Sequence, residues 1–220
     1  MKVRELVMKL NFNYKVDFEN LLNIKDNMVL NDKSVLFIVD MNNGFAKAGA
    51  LYSDRVEAII PEVVKTTELF IKEQRPVIAF TDRHTDKSPE FLSYPPHCLE
   101  GTEETEIIDE LKVFGEKIHI IPKNSTNGFL EEATQEKVNE LINEGVKNWV
   151  VVGCCTDICI KLFSISLKNY FNKLNIDNNV IVPINAVETY DAPWHNGDAM
   201  NLFSLLDLQS NGIILVNNVK

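Results

Sequence analysis

The stretch W-V-V-V-G-C-C-T-D-I-C-I-K-L-F, residues 149–163, decides how the rest of the chain is read. Trp149, Val150, Val151 and Val152 are aromatic or β-branched and Gly153 ends the run, which predicts a short buried strand. A helix is expected at once. Thr156 suits an N-cap, Asp157 suits the positive end of a helix dipole, and Ile160, Phe163 and Leu167 recur at helical spacing. Cys159 then falls in the first turn, beside unpaired backbone N–H groups, a setting that lowers a thiol's pKa and makes it a nucleophile. Taken alone, a cysteine reads more readily as a small buried apolar residue, so the rest of the chain must supply a base, a cation and a pocket.

Outward from this stretch, strands and helices alternate. Residues 35–39 are a continuous apolar run ending at Asp40, as in a central parallel strand buried on both faces. Residues 76–80 form a second such strand running into T-D-R-H, and residues 117–121 a third before P-K-N-S-T-N-G-F. Further strands are expected at 180–183 and 212–216, with residues 172–179 read as an Asn-rich loop. Helices are expected within 53–74, starting near Pro61, and over 131–143, 156–170 and 196–207. The alternation predicts an α/β fold: a doubly wound, mostly parallel, Rossmann-like sheet of about six strands with helices on both faces.

Composition narrows the function classes. A chain of 220 residues with 45% hydrophobic and 25% charged residues suits one α/β domain. Residues 33–220 are read as that domain, and residues 1–32 as an N-terminal arm packed on it or on a partner subunit. A homo-oligomer stays open. The apolar runs fall short of the ~20 residues that span a bilayer, and the N-terminus mixes charges into its apolar residues, so a cytoplasmic protein is expected. A net charge of −10 with scattered Lys and Arg argues against nucleic-acid and membrane partners. Cys98, Cys154, Cys155 and Cys159 form no C-x2-C pair, and a reducing compartment fits them best.

Two constellations carry chemistry. Asp40, Lys123 and Cys159 each follow a separate predicted strand, so a crevice outside the strand ends would gather them. A carboxylate there can accept a thiol's proton while an ammonium stabilises both anions, the makings of a nucleophilic hydrolase. Read singly, Asp40 is a turn cap and Lys123 a solvated loop residue, and spacing leaves both readings open. The second set is Asp82, His84, Glu90 and His97, within residues 81–98. Such a mixture suits zinc, manganese or iron, although a polar loop with two incidental histidines also accounts for it. His119 and His195 receive no role.

The motifs V-D-M-N-N-G-F (39–45), T-D-R-H (81–84), Y-P-P-H-C-L-E-G-T (94–102), P-K (122–123) and G-C-C-T-D-I-C-I (153–160) resemble the isochorismatase-like cysteine hydrolases, in their nicotinamidase branch. The resemblance spans about residues 34–216. It implies a triad of Asp40, Lys123 and Cys159, and a divalent metal, zinc foremost, on Asp82, His84 and His97, with Glu90 where many members carry histidine. It further implies a cis peptide at Cys154–Cys155, an oxyanion hole from the backbone amides of Cys155 and Cys159, and substrate contacts from Phe45 and Tyr94, the latter standing where tryptophan is common. The activity implied is hydrolysis of a small amide, nicotinamide first. A metal-free hydrolase of another amide, carbamoyl or vinyl-ether substrate, and a non-catalytic binding protein, are the alternatives.

Overall fold

The computed structural model describes residues 22–220. Seven strands make one sheet: β1 (Ser34–Val39), β2 (Val77–Asp82), β3 (His119–Lys123), β4 (Asn148–Cys154), β5 (Asn179–Pro183), β6 (Val187–Glu188) and β7 (Ile214–Val216). The order is β3-β2-β1-β4-β5-β7, with β6 pairing the end of β4, and every pairing is parallel. The strand absent from the sequence reading is β6, whose two residues carry no periodic pattern. Strands β2 and β3 also run two residues further than expected, so Asp82 and Lys123 are terminal strand residues and register partners.

Side chains alternate across the sheet and build a core on each face. Leu36, Ile38, Val150 and Val152 point to one side, against α1 (Ile60–Lys72) with its Val63 and Phe70. Val35, Phe37, Trp149 and Val151 point to the other, where α2 (Glu132–Asn143), α3 (Lys161–Leu174) and α4 (Gly197–Ser210) pack. The helix expected over 53–74 is divided: residues Asp54–Ala58 form a separate short turn, and α1 carries Pro61 in its first turn, where the missing N–H costs nothing. Helix α3 continues to Leu174, into the stretch read as loop, and ends with Asn175 in the left-handed conformation.

The chain winds from β1 through β2 to β3, then returns to the other side of β1 with β4. The switch point therefore lies between β1 and β4, and a ligand crevice is expected at their carboxyl ends. Gly153 makes the close approach of these strands possible. Its φ is +113°, and a Cβ there would meet the Val39 carbonyl oxygen at 2.1 Å.

Of the arm expected over residues 1–32, residues 1–21 lie outside the described part. The remainder runs along the β7 edge: Lys25 N–H donates to the Leu215 carbonyl at 2.9 Å and Asn217 N–H to the Lys25 carbonyl at 3.0 Å. Among the described residues no helix is long and apolar enough to cross a membrane.

Candidate active site

Asp40 is the first residue beyond β1, with φ of 53°, a left-handed conformation that Asp tolerates better than most residues. The turn sends its carboxylate under the strand ends, where the residue is 1% exposed. Lys123, also buried, lies with its Nζ 2.9 Å from Asp40 Oδ2 and 3.9 Å from Cys159 Sγ, and donates to the Ser125 carbonyl at 3.0 Å. It also forms an ion pair with Asp82. One ammonium thus lies between two buried carboxylates and a thiol, and the three residues expected to converge do so.

The turn bearing Cys159 differs from the expected α-helical start. The peptide between Cys154 and Cys155 is cis. Residues Thr156–Ile160 form a wider turn in which Ile160 N–H donates to the Cys155 carbonyl at 3.1 Å, an i→i+5 bond, before α3 begins at Lys161. Cys155, and not Thr156, holds the N-cap position, and the buried Thr156 hydroxyl finds no hydrogen-bond partner among the described residues. Insertions of this kind recur at functional sites because they re-aim side chains.

Electrostatics correct one expectation. Burial pushes the Cys159 thiol well above its ordinary value, outweighing the neighbouring Lys123 ammonium that favours the thiolate. The thiol therefore rests protonated; desolvation outweighs the advantage expected from a helix start. Burial also raises Asp40, to about 7, against the opposing pull of Lys123 and a hydrogen bond with Cys159. Asp82 behaves oppositely: burial raises it, yet Lys123 and the bonds to His84 and His97 hold it well below the carboxylate range. Lys123 stays charged because its two carboxylates overcome the cost of burial.

Asp82, His84 and His97 bring donor atoms within 4.8 Å of one another, and all three are buried. His84 Nδ1 faces Asn124 Oδ1 at 3.0 Å, and His97 Nδ1 faces the Pro95 carbonyl at 2.8 Å. With the outer nitrogens so occupied, both Nε2 atoms face Asp82 Oδ2, at 3.4 and 3.6 Å. Orienting histidines through their outer nitrogens in this way is characteristic of metal ligands, so the donor set fits a divalent ion. Glu90, expected as a fourth ligand, is not part of this group. It sits on the short turn Pro89–Leu92 and lines the cavity beyond the histidines.

Both sets open into one cavity of about 430 Å³. Phe45 and Tyr94 line it as expected, with the Phe45 ring 5.7 Å from the His97 ring. Tyr52, Ile158, Tyr190 and Trp194 also line it and escaped the sequence reading. The available signal was T-Y-D-A-P-W-H at 189–195, two aromatic residues among turn formers just past a strand. Trp194 stands at the mouth, 84% exposed.

A thiol, a carboxylate and an ammonium gathered at the switch point of a doubly wound parallel sheet define a hydrolase of the α/β class. Residues 34–211 match the family model for the isochorismatase domain, and the chain belongs to the isochorismatase family. It is 33% identical to Nicotinamidase 1 of Arabidopsis thaliana over 185 residues, 76% of this chain and 75% of that one. Among solved structures, nicotinamidase PncA from Bacillus subtilis superposes with a TM-score of 0.70 at 24% identity, covering 84% of this chain and 99% of that one. A pyrazinamidase of Pyrococcus horikoshii in complex with zinc gives 0.66 at 24% identity, covering 84% and 98%.

Proposed function

We propose that this chain is a metal-dependent cysteine amidohydrolase that converts nicotinamide to nicotinate and ammonia. The observation that carries this reading is the shared cavity: Asp40 and Cys159 of the Lys123 cluster, and Asp82 and His97 of the donor set, line one space walled by aromatic rings. The Arabidopsis thaliana relative bears the name of that activity, and PnC1 of L. infantum, a structural neighbour with a TM-score of 0.70 at 18% identity, was solved with nicotinate.

Asp40, ionised, takes the Cys159 proton as the sulfur attacks the amide carbonyl, so the proton leaves in concert with C–S bond formation and no free thiolate has to build up beforehand. The backbone N–H groups of Cys155 and Cys159 hold the oxyanion. Asp40 returns the proton to the amide nitrogen, the C–N bond breaks, ammonia leaves, and a thioester on Cys159 remains. Asp40 then takes a proton from water, whose oxygen attacks the thioester carbonyl. Nicotinate is released as the sulfur regains a proton. Lys123 keeps Asp40 oriented and offsets the negative charge throughout. Phe45 and Tyr94 flank the ring. Asp82, His84 and His97 would hold a divalent ion, zinc in preference to manganese or iron, which supplies a Lewis acid for the pyridine nitrogen. Four free cysteines suit a reducing cytoplasm.

Ammonia release from nicotinamide by the purified protein, before and after chelation, tests the reading. Turnover that falls on chelation and returns with zinc is expected. Full activity after metal stripping overturns the metal reading, and release from a carbamoyl substrate without release from nicotinamide overturns the substrate.

A further inference from the structure

Behind the Cys159 turn lies a buried polar network that the mechanism above leaves unused. Asp157, two residues before Cys159, accepts from the Thr189 hydroxyl at 2.5 Å through Oδ1 and from His195 Nε2 at 2.9 Å through Oδ2. The other ring nitrogen of His195 lies 3.0 Å from the Tyr190 carbonyl. The Tyr190 and His195 rings also stack, with centroids 3.8 Å apart and planes within 8°. Both Asp157 and His195 are 8% exposed.

His195 belongs to a loop that is closed on itself. Ala192 and His195 exchange two backbone hydrogen bonds of 2.9 Å, and Asp191 Oδ1 accepts from Gly197 N–H at the start of α4. Tyr190 and Trp194 of this loop line the cavity, as does Cys159, whose turn follows β4, the strand that β6 pairs. The His195 imidazole links the two elements through hydrogen bonds to Asp157 and to the Tyr190 carbonyl.

We propose that Asp157 and His195 are positioning residues: a buried strap that fixes the turn bearing Cys159 against the Tyr190 wall, so that nucleophile and substrate ring are registered by one contact. Neither residue touches the reacting atoms. Loss of the strap leaves the wall free to move away from the sulfur, which weakens substrate binding and opens the thiol to small reagents.

The strap rests on the amidohydrolase reading only for its substrate, so two assays are paired. His195→Ala, Asp157→Asn and the double variant are measured for KM and kcat in ammonia release from nicotinamide, and for the rate of Cys159 alkylation by iodoacetamide. Each single change should raise KM about tenfold, the weight of a hydrogen bond to a charged group. The double variant should lose no more than the worse single one, since both break the same link. Alkylation should accelerate in all three. A merely structural role would lower the folded fraction, and with it kcat, while leaving KM unchanged; that result overturns the proposal, as do additive losses. If His195→Ala does not fold, His195→Gln, which keeps a donor able to reach Asp157, should give a smaller rise in KM, and a wild-type KM overturns the proposal. Should the wild type release no ammonia from nicotinamide, the substrate reading fails, and the alkylation rates alone decide: unchanged rates in the variants reject the strap.

Discussion

At Asp40 the backbone enters the left-handed region and delivers a carboxylate into a pocket shared with Lys123 and Cys159. Because the proposed base must be ionised, kcat/KM is expected to rise with pH through about 7, where burial has moved Asp40, and a pH–rate profile checks this. The same residue sets a stability trade. Its folded-state value lies above the ordinary 3.8, so the folded chain keeps a proton that the unfolded chain releases. The stability gained is complete below pH 3.8 and is lost as pH rises through about 7. Each pH step between these values weighs about 1.4 kcal/mol. Asp40→Asn, which mimics the protonated form, should therefore abolish turnover while unfolding at higher denaturant than wild type at pH 8. Cys159→Ala should likewise end turnover with the fold intact, and residual ammonia release near the wild-type rate would exclude it as the nucleophile. Asp82, His84 and His97 were legible as residue types, and their convergence follows from β2 running to Asp82 and from the Pro95 carbonyl and Asn124 that fix the two rings. Nothing in the spacing signals those two acceptors.

The junction of β4 with α3 holds the element-scale lesson. The strand over 149–153 and the helix after it were readable, because β-branched alternation and helical spacing are local properties. The intervening wide turn was not, since an i→i+5 bond in place of i→i+4 leaves the apolar spacing almost unaltered. Burial of the thiol was equally hidden, because the Lys123 and Asp40 groups beside it are remote in sequence. Gly153 is the residue on which the junction depends. Gly153→Ala would place a methyl group against the Val39 carbonyl in a backbone conformation that alanine avoids, and should cost on the order of 3 kcal/mol or more. Chemical denaturation checks this; a loss below about 1 kcal/mol would mean that β1 and β4 separate easily.

Across the whole molecule, the doubly wound sheet was predictable because its central strands are apolar throughout and its helices carry one apolar face. The partner of the β7 edge was not, because residues 22–30 mix Asn, Asp and Lys with apolar residues and take their extended form from pairing with the C-terminal strand. Lys25→Pro, which removes the N–H donated to Leu215, should lower stability by about 1 kcal/mol and raise hydrogen exchange at the end of β7. Unchanged exchange at Asn217, whose N–H donates to the Lys25 carbonyl, would show that this edge needs no cover. The two tryptophans sit at opposite extremes of this architecture, Trp149 wholly enclosed and Trp194 at the cavity mouth. Their light emission should divide the same way: a blue, quencher-shielded component from the sheet and a red, iodide-quenchable one from the opening. A Trp194→Phe protein keeps only the first. The red component then serves as a built-in optical gauge of ligand arrival, readable without any chemistry taking place.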